Sequence, residues 1–262
     1  MQENNRGLGL FTLLVYAFLL GPLLIIAAAS FDPGTVLKFP PQGFSFKWYE
    51  NIFKVKMFME TFKTSIFVSL LGNVFALLLG VPAAYALSRF QFKGKDALNA
   101  VFISPVLIPG IVLGFTMLKY LIITYHLPIY LSLLFGHTVI MLPFIIRVIA
   151  SSLSNFDFSV EEAALSLGAG HLATFFKVVL PNIKSGIIAA VLIAFLESFN
   201  NVDISVFMTG PGVSTLPIQM LTYVENHFDA TIAAISVLLM IFTAVLMFII
   251  ERIMGLSYFT KR

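Results

Sequence analysis

The sequence has no cysteine, only one tryptophan and few charged residues. Without cysteine the chain has neither a disulfide framework nor a thiolate metal site, and its redox compartment cannot be inferred. Charged residues make up 11% of the 262 positions and hydrophobic residues 59%, with a mean hydropathy of +0.96. A water-soluble domain of this size is far less apolar, so the composition indicates a polytopic membrane protein in a lipid bilayer. The net charge of +3 then reflects membrane orientation, and we expect no nucleic-acid partner.

Several sequence motifs of enzymes are also missing. The chain has no GxxxxGK[ST] stretch, so we expect no cofactor in this chain: ATP and magnesium would be bound by a separate subunit. There is no HExxH and no GxSxG motif, which predicts no catalytic residues and no metal site. The histidines show no metal-ligand spacing; they are His126, His137, His171 and His227. An intramembrane enzyme of another type remains the alternative from a different functional class.

Long apolar segments dominate the chain. Six of them have about 20 residues, which is enough for a helix to cross a hydrocarbon core of about 30 Å. We therefore predict an all-α membrane protein with one transmembrane domain over residues 1–262. The spans are expected near 8–29, 65–87, 100–124, 129–150, 183–207 and 231–253. The first apolar run is longer than a typical signal core, which favours an uncleaved anchor.

Proline and glycine interrupt the third predicted span. Pro105 and Pro109 each remove a backbone donor, so a kink or break is expected there. Gly110 and Gly114 have GxxxG spacing, which permits close contact with another helix. These residues could line a substrate path or only shape the helical bundle.

The distribution of arginine predicts the orientation. With Arg6 inside and an even number of spans, both termini and the loops at 88–99 and 151–182 are cytoplasmic. All five arginines then lie on the cytoplasmic side. Five lysines in the predicted outer loop fit this rule less well; they are Lys38, Lys47, Lys54, Lys56 and Lys63.

A structured loop is predicted from Ser159 to Pro181. Ser159 and Glu162 have capping-box spacing, in which each side chain accepts the backbone N–H of the other residue. Gly168 suits the left-handed residue that ends a helix, and a second short helix is predicted from about His171 to Val179. The small residues leave room for a partner's backbone, so the helix-turn-helix is interpreted as a docking element.

The spacing within this loop resembles the EAA loop of bacterial ABC-importer permeases. The matching positions are Glu162-Ala163-Ala164, Gly168, Val178 and Leu180-Pro181, with Val178 where isoleucine is usual. The resemblance implies six transmembrane helices in a MetI-like arrangement, with the loop as a cytoplasmic coupling element that contacts the ATPase. The residues assigned to ATPase coupling are Glu161, Glu162, Ala163, Ala164, Leu165, Gly168, Ala169, Leu180 and Pro181.

The same resemblance implies the partners and the location. The chain would form half of a translocation pathway in the bacterial inner membrane. Its partners would be ABC ATPase subunits, a second permease subunit that completes a heterodimer, and a periplasmic substrate-binding protein. The permease itself would be non-catalytic.

Polar residues interrupt the end of the fifth predicted span. Glu197, Asn200 and Asn201 are three and four residues apart and would share one helix face, with Asp203 pointing away. Charges at membrane depth are costly, so we predict that these four residues, together with Lys119, line the substrate pathway. The alternative is structural, with Glu197 paired to Lys119 and the asparagines bonded to a neighbouring helix.

Further segments resemble the spermidine and putrescine permeases. They are Trp48-Tyr49, Thr209-Gly210-Pro211 and Thr215-Leu216-Pro217. This resemblance favours polyamines or related small amines as the solute. Polyamine permeases tend to have acidic residues where this chain has Asn200-Asn201, and Lys119 in the passage would suit a carboxylate. A γ-amino acid, an opine or another small organic solute is therefore the alternative.

Overall fold

The computed structural model describes residues 6–35, 39–227 and 229–254, and most of these residues are helical. The helices are α1 (Arg6–Ala29), α2 (Lys47–Lys54), α3 (Lys56–Arg89), α4 (Lys95–Leu107), α5 (Gly110–Met117), α6 (Ile129–Ser154), α7 (Ser159–Ser166), α8 (His171–Thr174), α9 (Leu180–Asn182), α10 (Lys184–Phe199), α11 (Leu216–Asn226) and α12 (Thr231–Met254). Two π-helical segments, Leu118–Thr124 and Phe175–Val179, and one 3-10 turn, Ser205–Met208, connect some of them. The predicted all-α fold is confirmed.

Within residues 6–35, 39–227 and 229–254, four helices are individually long and apolar enough to cross a membrane. They are Gly7–Ala29, Lys56–Arg89, Ile129–Ser154 and Thr231–Ile249. Two bent helix pairs raise the number to as many as six. One pair bends by 99° between Leu107 and Gly110, which confirms the predicted break at the prolines of the third span.

The fifth predicted span is shorter than expected. α10 ends at Phe199 rather than at Phe207. The Asn201 side chain accepts the backbone N–H of Ile204 at 3.0 Å, so a local side-chain bond replaces a bond of the helical ladder. The prediction that Asn200 and Asn201 share a helix face with Glu197 is therefore wrong, because both asparagines follow the last helical residue.

α6 is the central helix of the core around which the candidate site is built. It packs against α10 and α3 through a buried apolar cluster that includes Met141, Ile145 and Ile149. An added Cβ at Gly80 would meet the Ile145 side chain at 2.6 Å, so glycine at this position allows the helices to approach closely. The Asn73 side chain of α3 also donates a hydrogen bond to the Val191 carbonyl of α10 at 2.7 Å. The three helices thus form one packed group.

The chain divides into two compact units. Among the described residues, the first comprises 6–35, 39–60, 219–227 and 229–248, and the second comprises 61–218 and 249–254. In the first unit, the Trp48 indole donates to the Asp32 carbonyl at 2.8 Å and the Asn51 amide donates to the Thr231 hydroxyl at 2.9 Å. The second unit contains the predicted coupling loop and the predicted pathway residues.

Candidate functional site

The predicted loop begins with helix α7, but not with the predicted capping box. The Ser159 N–H donates to Asp157 Oδ1 at 2.9 Å, and the Glu162 N–H donates to the Phe158 carbonyl at 3.1 Å. The Glu162 carboxylate points instead to Arg89. The capping-box prediction is therefore wrong: Asp157 satisfies the backbone donor at the helix start, and this hydrogen bond lowers the pKa of the Asp157 carboxyl below its usual value of 3.8.

α7 ends at the predicted glycine. Gly168 has φ +89°, and its N–H donates to the Leu165 carbonyl at 2.9 Å. The Ala169 N–H donates to the Ala164 carbonyl at 3.1 Å, so the last carbonyls of the helix are satisfied. Only glycine adopts this conformation without a steric penalty. The reversal leads into α8 at His171, as predicted.

Arg89, the last residue of α3, holds α7 in place. Its Nη2 donates to Glu162 Oε1 at 2.8 Å, and its Nε lies 3.3 Å from Glu161 Oε2. Within the described part of the chain, that Nε and that Oε2 have no hydrogen-bond partner, so the Arg89–Glu161 contact is an ion pair without hydrogen-bond alignment. The hydroxyl of Tyr85 donates to Glu161 Oε1. The guanidinium also lies 5.2 Å from the centre of the Phe158 ring.

The two glutamates of the loop therefore face different surroundings. The side chain of Glu161 is 5% exposed and that of Glu162 is 62% exposed. A buried carboxylate is tolerated only when it is paired and hydrogen-bonded, and Arg89 and Tyr85 meet both needs. Glu161 therefore fixes α7 onto α3, whereas most of the Glu162 side chain remains exposed.

The outer surface of the loop carries large apolar side chains that the sequence interpretation missed. Leu167 is 89% exposed, Leu172 is 76% exposed and Phe176 is 61% exposed. The predicted coupling residues besides Glu161 and Glu162 differ in exposure: Ala163, Gly168, Ala169 and Pro181 are exposed, whereas Ala164, Leu165 and Leu180 are partly buried. Exposed apolar side chains concentrated in one short segment are typical of an interaction surface. The sequence gives no clear signal for this surface, because the same loop also contains apolar residues that are buried or partly buried, such as Leu165, Phe175 and Val179.

The predicted pathway residues of the fifth span lie along one open groove. Its volume is about 520 Å³, and its lining includes Glu197, Asn200, Asn201 and Asp203. Asp203, which was expected to point away from the others, lines the same groove because the chain leaves the helix at Phe199. Two carboxylates and two amides therefore face one cavity, an arrangement suited to a solute with several N–H donors.

Lys119 is not among the residues that line this groove. It is exposed in the segment Leu118–Thr124, with its Nζ 5.8 Å from the centre of the Tyr120 ring. Among the described residues, no ion pair joins it to Glu197. A role of Lys119 in the pathway stays a prediction.

α5 lies directly against the segment that carries Asp203. An added Cβ at Gly110 would overlap the Asp203 side chain, and one at Gly114 would lie 2.7 Å from the Asp203 carbonyl oxygen. The predicted close approach at these glycines therefore occurs, and its partner is the irregular segment after α10. The second half of the broken third span therefore packs against the irregular segment at the end of the fifth predicted span.

A helical protein with up to six membrane spans, a compact helical loop and a polar groove belongs to the class of polytopic membrane transport components. Residues 76–257 match the model of the family described as binding-protein-dependent transport system inner membrane component, and the chain belongs to this family. It is a multi-pass inner-membrane protein and the non-catalytic permease subunit of an ABC importer, which works with separate ATPase and substrate-binding components.

Curated relatives cover nearly the whole chain. The spermidine/putrescine transport system permease protein PotC of Escherichia coli K12 is 28% identical over 239 residues, which are 91% of this chain and 90% of PotC. The putrescine transport system permease protein PotI of the same strain is 29% identical over 87% of this chain and 83% of PotI.

Solved structures share the fold. A bacterial ABC transporter involved in the import of the acidic polysaccharide alginate has a chain with a TM-score of 0.68 and 18% identity, covering 99% of both chains. The inward-facing MetNI methionine ABC transporter has a chain with a TM-score of 0.64 and 21% identity, covering 77% of this chain and 96% of that chain. At these identities the likeness concerns the fold alone.

Proposed function

We propose that this permease subunit imports polyamines or related small cationic amines along the groove of Glu197, Asn200, Asn201 and Asp203. The observation that carries the proposal is the presence of two carboxylates on one groove. A linear amine with separated ammonium groups can pair with both carboxylates, and the amide oxygen of Asn200 can accept a further N–H donor. The names of PotC and PotI, which cover most of this chain, point to the same solute class.

We also propose that the loop of α7 and α8 contacts the ATPase through Leu167, Leu172 and Phe176. These side chains are exposed although they are apolar, and a partner that covers them would remove their surface from water. Arg89 ties α7 to α3, while α6 and α10 flank the loop and pack on each other. Movement of the loop by the ATPase would therefore reach three helices at once, and alternating access would follow from their displacement.

The proposed orientation places this loop and both termini in the cytoplasm. Arg89 contacts Glu161 and Glu162, so a basic helix end and the loop lie on the same side of the second unit. The positive-inside tendency assigns that side to the cytoplasm. A second, different permease subunit would complete the pathway, and a periplasmic binding protein would deliver the solute on the other side.

The solute class can be tested with the complete importer in proteoliposomes. Uptake of spermidine and putrescine is measured for the unaltered chain and for Glu197→Gln and Asp203→Asn, which keep side-chain size and remove one charge each. Uptake should fall about tenfold or more in each variant, corresponding to one lost charge-assisted contact of about 1.5–3 kcal/mol. Glu225→Gln is the matched control, because Glu225 is an exposed acid of α11 outside the groove.

Two results would contradict the proposal. Polyamine uptake that is unchanged in both groove variants would show that the groove is not the path. Uptake of a γ-amino acid or an opine without polyamine uptake would show that the solute belongs to a different chemical class.

The proposed contact between the loop and the ATPase can be tested by co-purification. Leu172→Ser and Phe176→Ser remove exposed apolar surface, so they should weaken co-purification of the ATPase without lowering the yield of the permease. Normal ATPase binding by the double variant would argue against this surface.

A further inference from the structure

A chain of buried hydrogen bonds crosses the break at the end of α10. Ser69 Oγ and Ser198 Oγ are 3.0 Å apart, and Ser198 Oγ lies 2.7 Å from His137 Nδ1. His137 Nε2 lies 3.1 Å from Ser205 Oγ, which donates to the Asn201 carbonyl at 2.8 Å. All four side chains that form the chain are at most 1% exposed.

The donors and acceptors of this network have one consistent direction. Ser205 uses its only proton on the Asn201 carbonyl, so its oxygen accepts a bond from His137 Nε2–H. A neutral imidazole with the proton on Nε2 has an acceptor at Nδ1, and Ser198 donates to it. Ser198 then accepts from Ser69. Every proton in the network has an acceptor.

The imidazole joins the two sides of the helix break. Ser198 belongs to the last turn of α10, and Ser205 begins the following 3-10 turn. Between them lie Asn200, Asn201 and Asp203, which line the groove. α6 also approaches the break at Gly136, where an added Cβ would lie 3.0 Å from both Ile204 and Met208.

We propose that His137 is a positioning residue that holds the break in the shape that presents Asn200, Asn201 and Asp203 to the groove. A leucine at this position in α6 would make no polar bonds, whereas the imidazole satisfies hydroxyls from both ends of the break at once. Its effect on solute selection rests on the proposed function, whereas its effect on the geometry of the break does not.

The lack of cysteine in the chain allows a direct test of that geometry. Ile204 lies within the break and is fully buried, so Ile204→Cys introduces a single thiol in this chain that a maleimide reaches only when the break opens, and its rate of reaction reports how firmly the break is held. In the assembled importer, His137→Leu should increase this rate at least about fivefold, because both serines lose a buried partner. His137→Gln, which has one acceptor and one donor group, should restore most of the original rate.

His126→Asn is the matched control. His126 is an exposed histidine with φ +51°, a conformation that asparagine tolerates, and it lies outside the network. It should leave the labelling rate of the Ile204→Cys chain unchanged. If His137→Leu fails to assemble, Ser198→Ala and Ser205→Ala each remove one link and should increase the rate separately.

The outcomes separate this inference from the proposed function. An unchanged labelling rate in His137→Leu, or in both serine variants, overturns the inference whatever happens to transport. A raised rate that glutamine reverses supports it, even where Glu197→Gln and Asp203→Asn leave polyamine uptake intact and so remove the proposed function. If this inference and the proposed function are both correct, His137→Leu should also change the ratio of spermidine to putrescine uptake at least about threefold. This is the discrimination expected when one polar contact is weakened.

Discussion

The guanidinium Nε of Arg89 lies 3.3 Å from the carboxylate of Glu161, whose side chain is only 5% exposed. The two residues belong to different elements: Arg89 ends α3, whereas Glu161 lies in the first turn of α7. The ion pair therefore links a membrane-spanning helix to the proposed docking loop. Because the carboxylate is buried, the consequence of losing its partner can be stated in energetic terms.

Arg89→Ala should loosen the docking loop. It leaves the Glu161 carboxylate buried without a counter-charge, which typically costs about 3–5 kcal/mol. We expect a lower melting temperature of the purified importer and faster proteolysis between α6 and α10. ATP hydrolysis by the assembled complex should also become less dependent on the loaded binding protein.

Two further variants isolate the buried pair. Glu162→Ala removes only the exposed partner of Arg89, and exposed pairs are worth about 0–1 kcal/mol. The double variant Arg89→Ala with Glu161→Gln removes the unpaired charge and should recover part of the stability. If Arg89→Ala is no more harmful than Glu162→Ala, the buried ion pair does not hold the loop.

The start of α7 gives a second prediction. Asp157→Ala should destabilise α7 because the Ser159 N–H loses its acceptor, whereas Ser159→Ala should have a smaller effect because it removes only the side-chain bond to Asp157 and keeps the backbone bond. Proteolysis of the loop at neutral pH compares the two variants directly. The opposite ranking would restore the capping-box interpretation.

The same contact has a defined pH dependence. The pKa of Asp157 is lowered in the folded chain, so its contribution is present above the ordinary carboxyl pKa of 3.8 and is lost as the pH falls through the lower folded value. Resistance of the loop to an acid-active protease should therefore decline below pH 3.8 in the unaltered chain. This decline should be weaker in Asp157→Ala.

A third prediction concerns the tip of the loop. Gly168 has φ +89° and no atom of the described residues lies within 4 Å of an added Cβ, so a side chain there would point away from that part of the chain. Asparagine and aspartate are nearly equal in size and both tolerate this conformation, at about 1–2 kcal/mol relative to glycine. Gly168→Asp and Gly168→Asn therefore differ mainly in one negative charge on the proposed ATPase-binding surface.

The aspartate variant should lose transport while the permease remains assembled in the membrane. The asparagine variant should retain most of its uptake, because it adds no charge to an apolar interface. The measurements are solute uptake and the amount of ATPase that co-purifies with each variant. Equal behaviour of the pair would show that charge at this position does not affect docking.

Local signals predicted much of the fold. Long apolar runs identified the helices, Pro105 and Pro109 identified the break in the third span, and Gly168 identified the end of α7, because each feature depends on neighbouring residues. The fifth span was predicted too long because its apolar character continues to Phe207, while the bond from the Ile204 N–H to Asn201 interrupts the helix. Hydropathy does not register this competition.

The contacts of the site were harder to predict. Arg89 was interpreted only as an orientation signal, and nothing in its local sequence points to Glu161 on a distant element. Glu162 was assigned to a local cap because that spacing usually forms one, yet a nearby guanidinium binds its carboxylate instead. The sequence suggested only a metal-ligand role for His137, because its partners Ser198 and Ser205 are more than 60 residues away in the chain and no local pattern links them to it.

The last prediction concerns the contact between α5 and the segment after α10. Gly114→Ala would place a methyl group 2.7 Å from the Asp203 carbonyl oxygen and 2.8 Å from the Phe207 ring. The backbone must move to relieve this overlap, at a cost of about 1–3 kcal/mol. Because Asp203 lines the groove, we expect lower thermal stability together with reduced polyamine uptake. Gly21→Ala in α1 is the control, since its added Cβ meets no atom within 4 Å in the part of the chain that the structure describes and alanine favours helix formation. If the two variants behave alike, the close contact at Gly114 does not constrain the groove.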